Sequence, residues 1–145
     1  MGRRESLPTI LIVDDLEANT KFLAKLLEPK GFVVLSAQGG EEALEFVRDY
    51  PPDVILLDLM MPEMDGFEVC KRLKDSAATR HIPVIIITGL MEREANVLAL
   101  EAGADDFVVK PFDSVLLMAR IKNSLRSKML QDQVIDYQKR LEEYN

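Results

Sequence analysis

Tryptophan is absent, and cysteine and histidine occur once each. Cys70, alone, leaves no internal disulfide to form, which fits a reducing compartment and sets the expectation of a cytoplasmic protein. His81, just ahead of Pro83, is read as a loop residue rather than a metal ligand or proton relay. No apolar run approaches the ~20 residues of a membrane span. The opening Met1-Gly2-Arg3-Arg4-Glu5-Ser6 is not followed by an apolar stretch long enough for a signal peptide, so no membrane partner is expected. Basic residues are also in short supply: 18 Lys and Arg stand against 25 Asp and Glu, a formal net charge of −7. That balance argues against direct binding to nucleic acid phosphates. Concentrated at one place, the same acidity suits a cation.

At 145 residues the chain holds one domain and a short addition, and its 48% apolar and 30% charged content is that of a soluble globular class. The stretch Val54-Ile55-Leu56-Leu57-Asp58 gives the architecture away. Four apolar residues without polar alternation predict a strand buried on both faces, as in a parallel sheet covered by helices. Similar runs stand at 9–13, 32–37, 83–87 and 106–109, and amphipathic helices are predicted over 16–28, 41–49, 67–74 and 92–102 between them. Strand and helix alternating five times implies right-handed crossovers and one parallel sheet. From Asp113 onward no helix stop appears for about thirty residues. Leu130, Val134, Tyr137, Leu141 and Tyr144 step by 4, 3, 4 and 3 in that segment, a short heptad seam.

Polar residues fall at the same end of four strands: Asp14 and Asp15 after the first, Asp58 at the third, Thr88 at the fourth, Lys110 at the fifth. In an open parallel sheet this edge is where ligands bind. Singly, each has a bland reading: a helix N-cap for Asp14 or Asp15, a turn for Asp58, a strand-end threonine, a surface lysine. Together they describe a chemistry. Three carboxylates repel one another unless a cation neutralises them, and hard oxygen donors suit Mg²⁺, with Mn²⁺ as a substitute. Asp58 is then placed to act as a nucleophile towards phosphorus, Lys110 to supply a point charge to the phosphoryl group, and Thr88 a hydroxyl.

Val13-Asp14-Asp15, Leu57-Asp58, Met61-Pro62-Glu63-Met64-Asp65-Gly66, Thr88-Gly89 and Lys110-Pro111-Phe112 resemble the receiver domain of bacterial two-component response regulators. The resemblance implies a flavodoxin-like, doubly wound (βα)5 fold with strand order 2-1-3-4-5 over residues 8–127, and an extended C-terminal helix whose residues 128–145 form a helical extension or linker with a possible short coiled coil. It implies that Asp58 accepts a phosphoryl group from a sensor histidine kinase or phosphotransfer protein. Asp15, Asp58 and the backbone carbonyl of Met60 would hold Mg²⁺, Asp14 acting through a water. Lys110 would contact the phosphoryl group across a cis Lys110–Pro111 peptide, with Thr88 and Phe107 as the switch pair. Such a domain catalyses only its own phosphorylation and dephosphorylation and passes the signal on, here to an output domain beyond Asn145 and through a phosphorylation-promoted homodimer.

Asp14-Asp15-Leu16-Glu17-Ala18-Asn19, Thr79-Arg80-His81-Ile82-Pro83 and the segment from Lys110 to Arg120 are closest to receivers that precede GGDEF diguanylate cyclase domains, and are shared with those of HD-type phosphodiesterases, which points to cyclic-di-GMP signalling. The sequence departs from the family in having Phe107 where a tyrosine is usual, and apolar Met60 and Leu90 where faster members carry polar residues. The rival class is a metal-dependent phosphatase with an aspartyl nucleophile. Such enzymes want Asp-x-Asp after the first strand, whereas Asp14 and Asp15 are adjacent. A flavin carrier is weaker still, since no hydroxyl-rich phosphate loop follows the first strand and tryptophan is missing.

Overall fold

The computed structural model of the chain describes residues 7–144. Five strands and five α-helices alternate: β1 (Thr9–Val13), α1 (Glu17–Leu27), β2 (Val33–Ala37), α2 (Gly40–Asp49), β3 (Val54–Asp58), α3 (Gly66–Asp75), β4 (Val84–Thr88), α4 (Glu92–Ala102), β5 (Asp106–Val109) and α5 (Ser114–Tyr144). All neighbouring strands are parallel, in the order β2-β1-β3-β4-β5. This is the flavodoxin-like order anticipated from the sequence.

Side chains leave a strand on alternate faces, so β1 serves two cores. Leu11 and Val13 meet Ile55, Leu57, Ala43, Val47, Val69 and Cys70 on the side of α2 and α3. Ile10 and Ile12 meet Leu56, Ile85, Leu23, Leu27, Leu117 and Ile121 on the side of α1 and α5. The central strands β3 and β4 are buried along their whole length, as uninterrupted apolar runs require. The edge strand β2 is not: Val33 and Ser36 are exposed.

Helix ends follow local chemistry. A 3-10 turn at Glu28–Lys30 ends α1, and Gly31 takes φ 98°, which a side chain would resist. Asp65 caps α3 by accepting the Glu68 N–H at 2.9 Å. Helix α5 runs unbroken from Ser114 to Tyr144. Leu117, Ile121 and Ser124 are buried against the domain, whereas residues 129–144 are all exposed. Lys128 marks the transition. Its Nζ sits 2.9 Å from Asp132 and 3.8 Å from Asp53, at the opposite end of β3 from Asp58. Asp53 is itself held by the Thr9 N–H at 2.7 Å.

Candidate functional site

Strand register builds the site. Val13 is paired with Leu57, so the residues that follow them, Asp14 and Asp58, emerge side by side at the carboxyl edge. Thr88 is paired with Val109, and the Lys110 N–H donates to the Thr88 carbonyl at 2.7 Å. The order reverses between β1 and β3, because α1 packs on one face of the sheet and α2 on the other, which opens a crevice there. Asp14, Asp15 and Asp58 each offer a carboxylate oxygen into it, all within 4.8 Å of one another. Lys110 Nζ lies 3.7 Å from Asp58 Oδ1. The Lys110–Pro111 peptide is cis.

The carboxylates are not equivalent. Asp14 is buried and already engaged: Oδ1 accepts the Leu16 N–H at 2.9 Å and Oδ2 the Asn19 side-chain amide at 3.0 Å. Asp15 is half-buried and more open. Asp58 is 7% exposed. Burial pushes its carboxyl above the ordinary 3.8; Lys110 opposes this, Asp14 adds to it, the Met60 backbone N–H lowers it, and Asp15 raises it again. The one cation present therefore leaves the negative charge under-compensated. A donor set made only of oxygens and short of positive charge fits a small divalent cation such as Mg²⁺.

Thr88 is fully buried, and its Oγ1 accepts the Leu90 N–H at 3.1 Å. Phe107 is half-buried against Leu59, Ile86, Ala99 and Leu90. Met60 is 72% exposed in the loop after β3, and Leu90 is half-buried in the loop after β4. That first loop is tightly wound. Glu63 has φ 65°, and the Gly66 N–H donates to the Leu59 carbonyl at 3.0 Å. A Cβ on Gly66 would overlap the carbonyl oxygen of Asp58 and come 2.9 Å from Leu59 Cα. Only glycine lets α3 begin this close to the end of β3.

A cavity of about 430 Å³ opens beside Asp58, between the start of α1 and the loop after β5. Asn19, Phe22 and Phe112 line it, and none of them is among the candidate site residues above. Phe22 shares its helical spacing with core residues Leu23 and Leu26, yet it is 60% exposed and its ring lies 6.4 Å from that of Phe112. Asn19 could have been suspected from its place one turn beyond Asp14-Asp15. His81 is exposed in the loop leading into β4, at the sheet edge opposite the carboxylate cluster. Cys70 is buried between α3 and α4, where burial pushes its thiol up to about 11 and leaves it inert.

A carboxylate cluster with a lysine beside it, at the carboxyl edge of this fold, points to a signalling domain, and the comparisons agree. Residues 10–122 match the response regulator receiver domain family, to which the chain belongs. Response regulator PleD of Caulobacter vibrioides is 47% identical over 125 residues, which span 86% of this chain and 28% of that protein. A probable cyclic di-GMP phosphodiesterase of Vibrio cholerae is 40% identical over 134 residues, 92% of this chain and 30% of that protein. The chain thus spans less than a third of either relative. Among solved structures, the receiver domain of a signal transduction histidine kinase from Syntrophus aciditrophicus superposes with TM-score 0.77 at 39% identity, covering 83% of this chain and 91% of that one. Residues 10–122 are thus a receiver domain of the two-component response regulator kind, and the phosphatase reading is not favoured. No helix among the described residues is long and apolar enough to cross a membrane.

Proposed function

We propose that Asp58 accepts a phosphoryl group from a histidine kinase or phosphotransfer protein. The observation that carries this is the convergence of Asp14, Asp15 and Asp58 within 4.8 Å, with Lys110 at 3.7 Å from Asp58, at the switch point of the sheet. An Asp58 carboxylate oxygen attacks phosphorus, the P–N bond to the donor imidazole breaks, and its electron pair stays on that nitrogen, which takes up a proton. Lys110 steadies the oxygens of the phosphoryl group. Asp15, Asp58 and the Met60 carbonyl would hold Mg²⁺, with Mn²⁺ a substitute; its chemistry there is to neutralise the charge that phosphoryl and carboxylate share. Asp14, with both oxygens engaged, fits contact through a water.

Once Asp58 carries the phosphoryl group, the Thr88 hydroxyl, now an acceptor for the Leu90 N–H, moves to donate its O–H to a phosphoryl oxygen, and Phe107 turns into the space released. The face of α4, β5 and α5 changes shape, and association of two chains is promoted. The signal passes to an attached output domain. The names of the two relatives, a response regulator and a probable cyclic di-GMP phosphodiesterase, support an output in cyclic-di-GMP metabolism. The domain's own catalysis is confined to gaining and losing its phosphoryl group.

The test is acetyl phosphate with Mg²⁺, read by intact mass. One phosphoryl group should add to the wild-type chain and none to Asp58→Asn, and Asp15→Ala should label slowly. Equal labelling of Asp58→Asn rejects the assignment.

A further inference from the structure

Methionine is the form in which this chain carries most of its sulfur, with seven Met against one Cys. The cysteine is closed to oxidants. Cys70 is buried, and that burial pushes its thiol up to about 11, so almost no thiolate is present to react. A thioether needs no deprotonation, and for methionine access decides. Among the described residues Met61 is buried, Met64 and Met118 are half-buried, and Met60, Met91 and Met129 are exposed.

The three exposed side chains stand in different places. Met91 precedes α4. Met129 lies on α5 next to Lys128, which is anchored to Asp53 at the far end of β3. Met60 belongs to the site itself. Its backbone N–H faces the Asp58 carboxylate and favours the charged form, while its side chain reaches into water. The thioether is therefore no more than a side chain's length from the amide that faces the carboxylate. The backbone on either side of that amide is fixed: β3 ends at Asp58, and the Leu59 carbonyl accepts the Gly66 N–H at 3.0 Å. A change in the chemistry of the Met60 side chain thus alters what borders the phosphoryl position without unwinding the loop.

The change available is a two-electron oxidation by a peroxide. A lone pair on the Met60 sulfur attacks one oxygen of hydrogen peroxide, an S–O bond forms and the O–O bond breaks. The second oxygen leaves as hydroxide with the bonding pair and takes the proton carried by the first. The thioether is oxidised to a sulfoxide and the peroxide reduced to water. The product is polar where the reactant was apolar. Its oxygen accepts a hydrogen bond from a water approaching phosphorus and so orients that water, which an unmodified Met60 leaves unguided.

We propose that Met60 is an oxidation site whose sulfoxide shortens the life of the phosphoryl group on Asp58. The consequence rests on the phosphoacceptor reading of Asp58; the oxidation needs only the exposed thioether. Because methionine sulfoxide is reduced back by dedicated reductases, the change is reversible.

The test treats the full chain with hydrogen peroxide, removes the oxidant and maps sulfoxide by peptide mass. Met60 should be oxidised well ahead of Met61; equal oxidation of the two overturns the proposal. Oxidised and untreated protein are then labelled with acetyl phosphate and Mg²⁺, the donor is removed, and loss of the phosphoryl group is followed by intact mass. Oxidation should speed the loss severalfold, and the two methionine sulfoxide reductases with dithiothreitol should restore the slow rate. Met60→Leu, compared with itself before and after peroxide, should show no change, whereas a Met91→Leu, Met129→Leu double variant should respond as wild type does. A rate in wild type that is unchanged or slower after oxidation, or an acceleration that persists in Met60→Leu, overturns the proposal and leaves Asp58 as the phosphoacceptor. Untreated protein that takes up no phosphoryl group overturns both.

Discussion

Asp58 has a pH signature. Its folded carboxyl lies above 3.8 because burial outweighs Lys110, so the metal-free native state binds more protons than the unfolded chain as pH rises above that value. Stability therefore falls as pH rises through the raised folded value. Asp58→Asn removes the penalty. In chelator at pH 7 the variant should melt higher than wild type, and the difference should close as pH drops towards 3.8. A gap that widens in acid would reverse the assignment of cause. Two other residues nearby test the backbone. Glu63 sits at φ 65°, so Glu63→Gly should stabilise by about 0.5–1 kcal/mol. Gly66→Ala must push the Asp58 carbonyl aside and should cost about 2 kcal/mol or more in chemical denaturation, with slower phosphorylation. At this scale the sequence was legible only in part. Asp58 and Lys110 stood out because each ends an apolar run. Asn19 and Phe22 did not, because what they touch depends on how α1 is rotated over the crevice, which helical periodicity alone does not settle.

Between residue and molecule, the loops after β3 and β4 are expected to set how long a phosphoryl group on Asp58 would last. Water must approach phosphorus in line with the bond to Asp58. The residues two beyond Asp58 and two beyond Thr88 are Met60 and Leu90, whose side chains cannot orient or stabilise that water. Slow loss of the phosphoryl group is expected. The Met60→Asn, Leu90→Glu double variant should lose it severalfold faster, measured by intact mass after the donor is removed; an unchanged rate would place control elsewhere. The elements themselves were the most legible part of the chain. Uninterrupted apolar runs give buried parallel strands because both faces are covered, and the bounds predicted for the first four helices fall within one residue of those observed. The turn at Glu63 was not foreseen, since a left-handed glutamate leaves no mark in composition.

For the whole molecule, a cation held only by the folded state must stabilise it. Millimolar Mg²⁺ should raise the melting temperature of wild type by several degrees and that of Asp15→Ala by much less; equal shifts would remove Asp15 from the ligand set. Topology was readable from strand and helix alternation because right-handed crossovers leave few arrangements. The link between Asp53 and Lys128 was not, for it joins residues far apart in sequence that only the sheet brings together. That link also has a mechanical meaning. Beyond Lys128 the helix is a rod of about 24 Å to Tyr144, free of further support. A tilt of about 10° at its root would carry the far end through about 4 Å. Asp53 and Asp58 close the two ends of one five-residue strand, so the fulcrum of the rod and the seat of the charge are built on a single rigid beam.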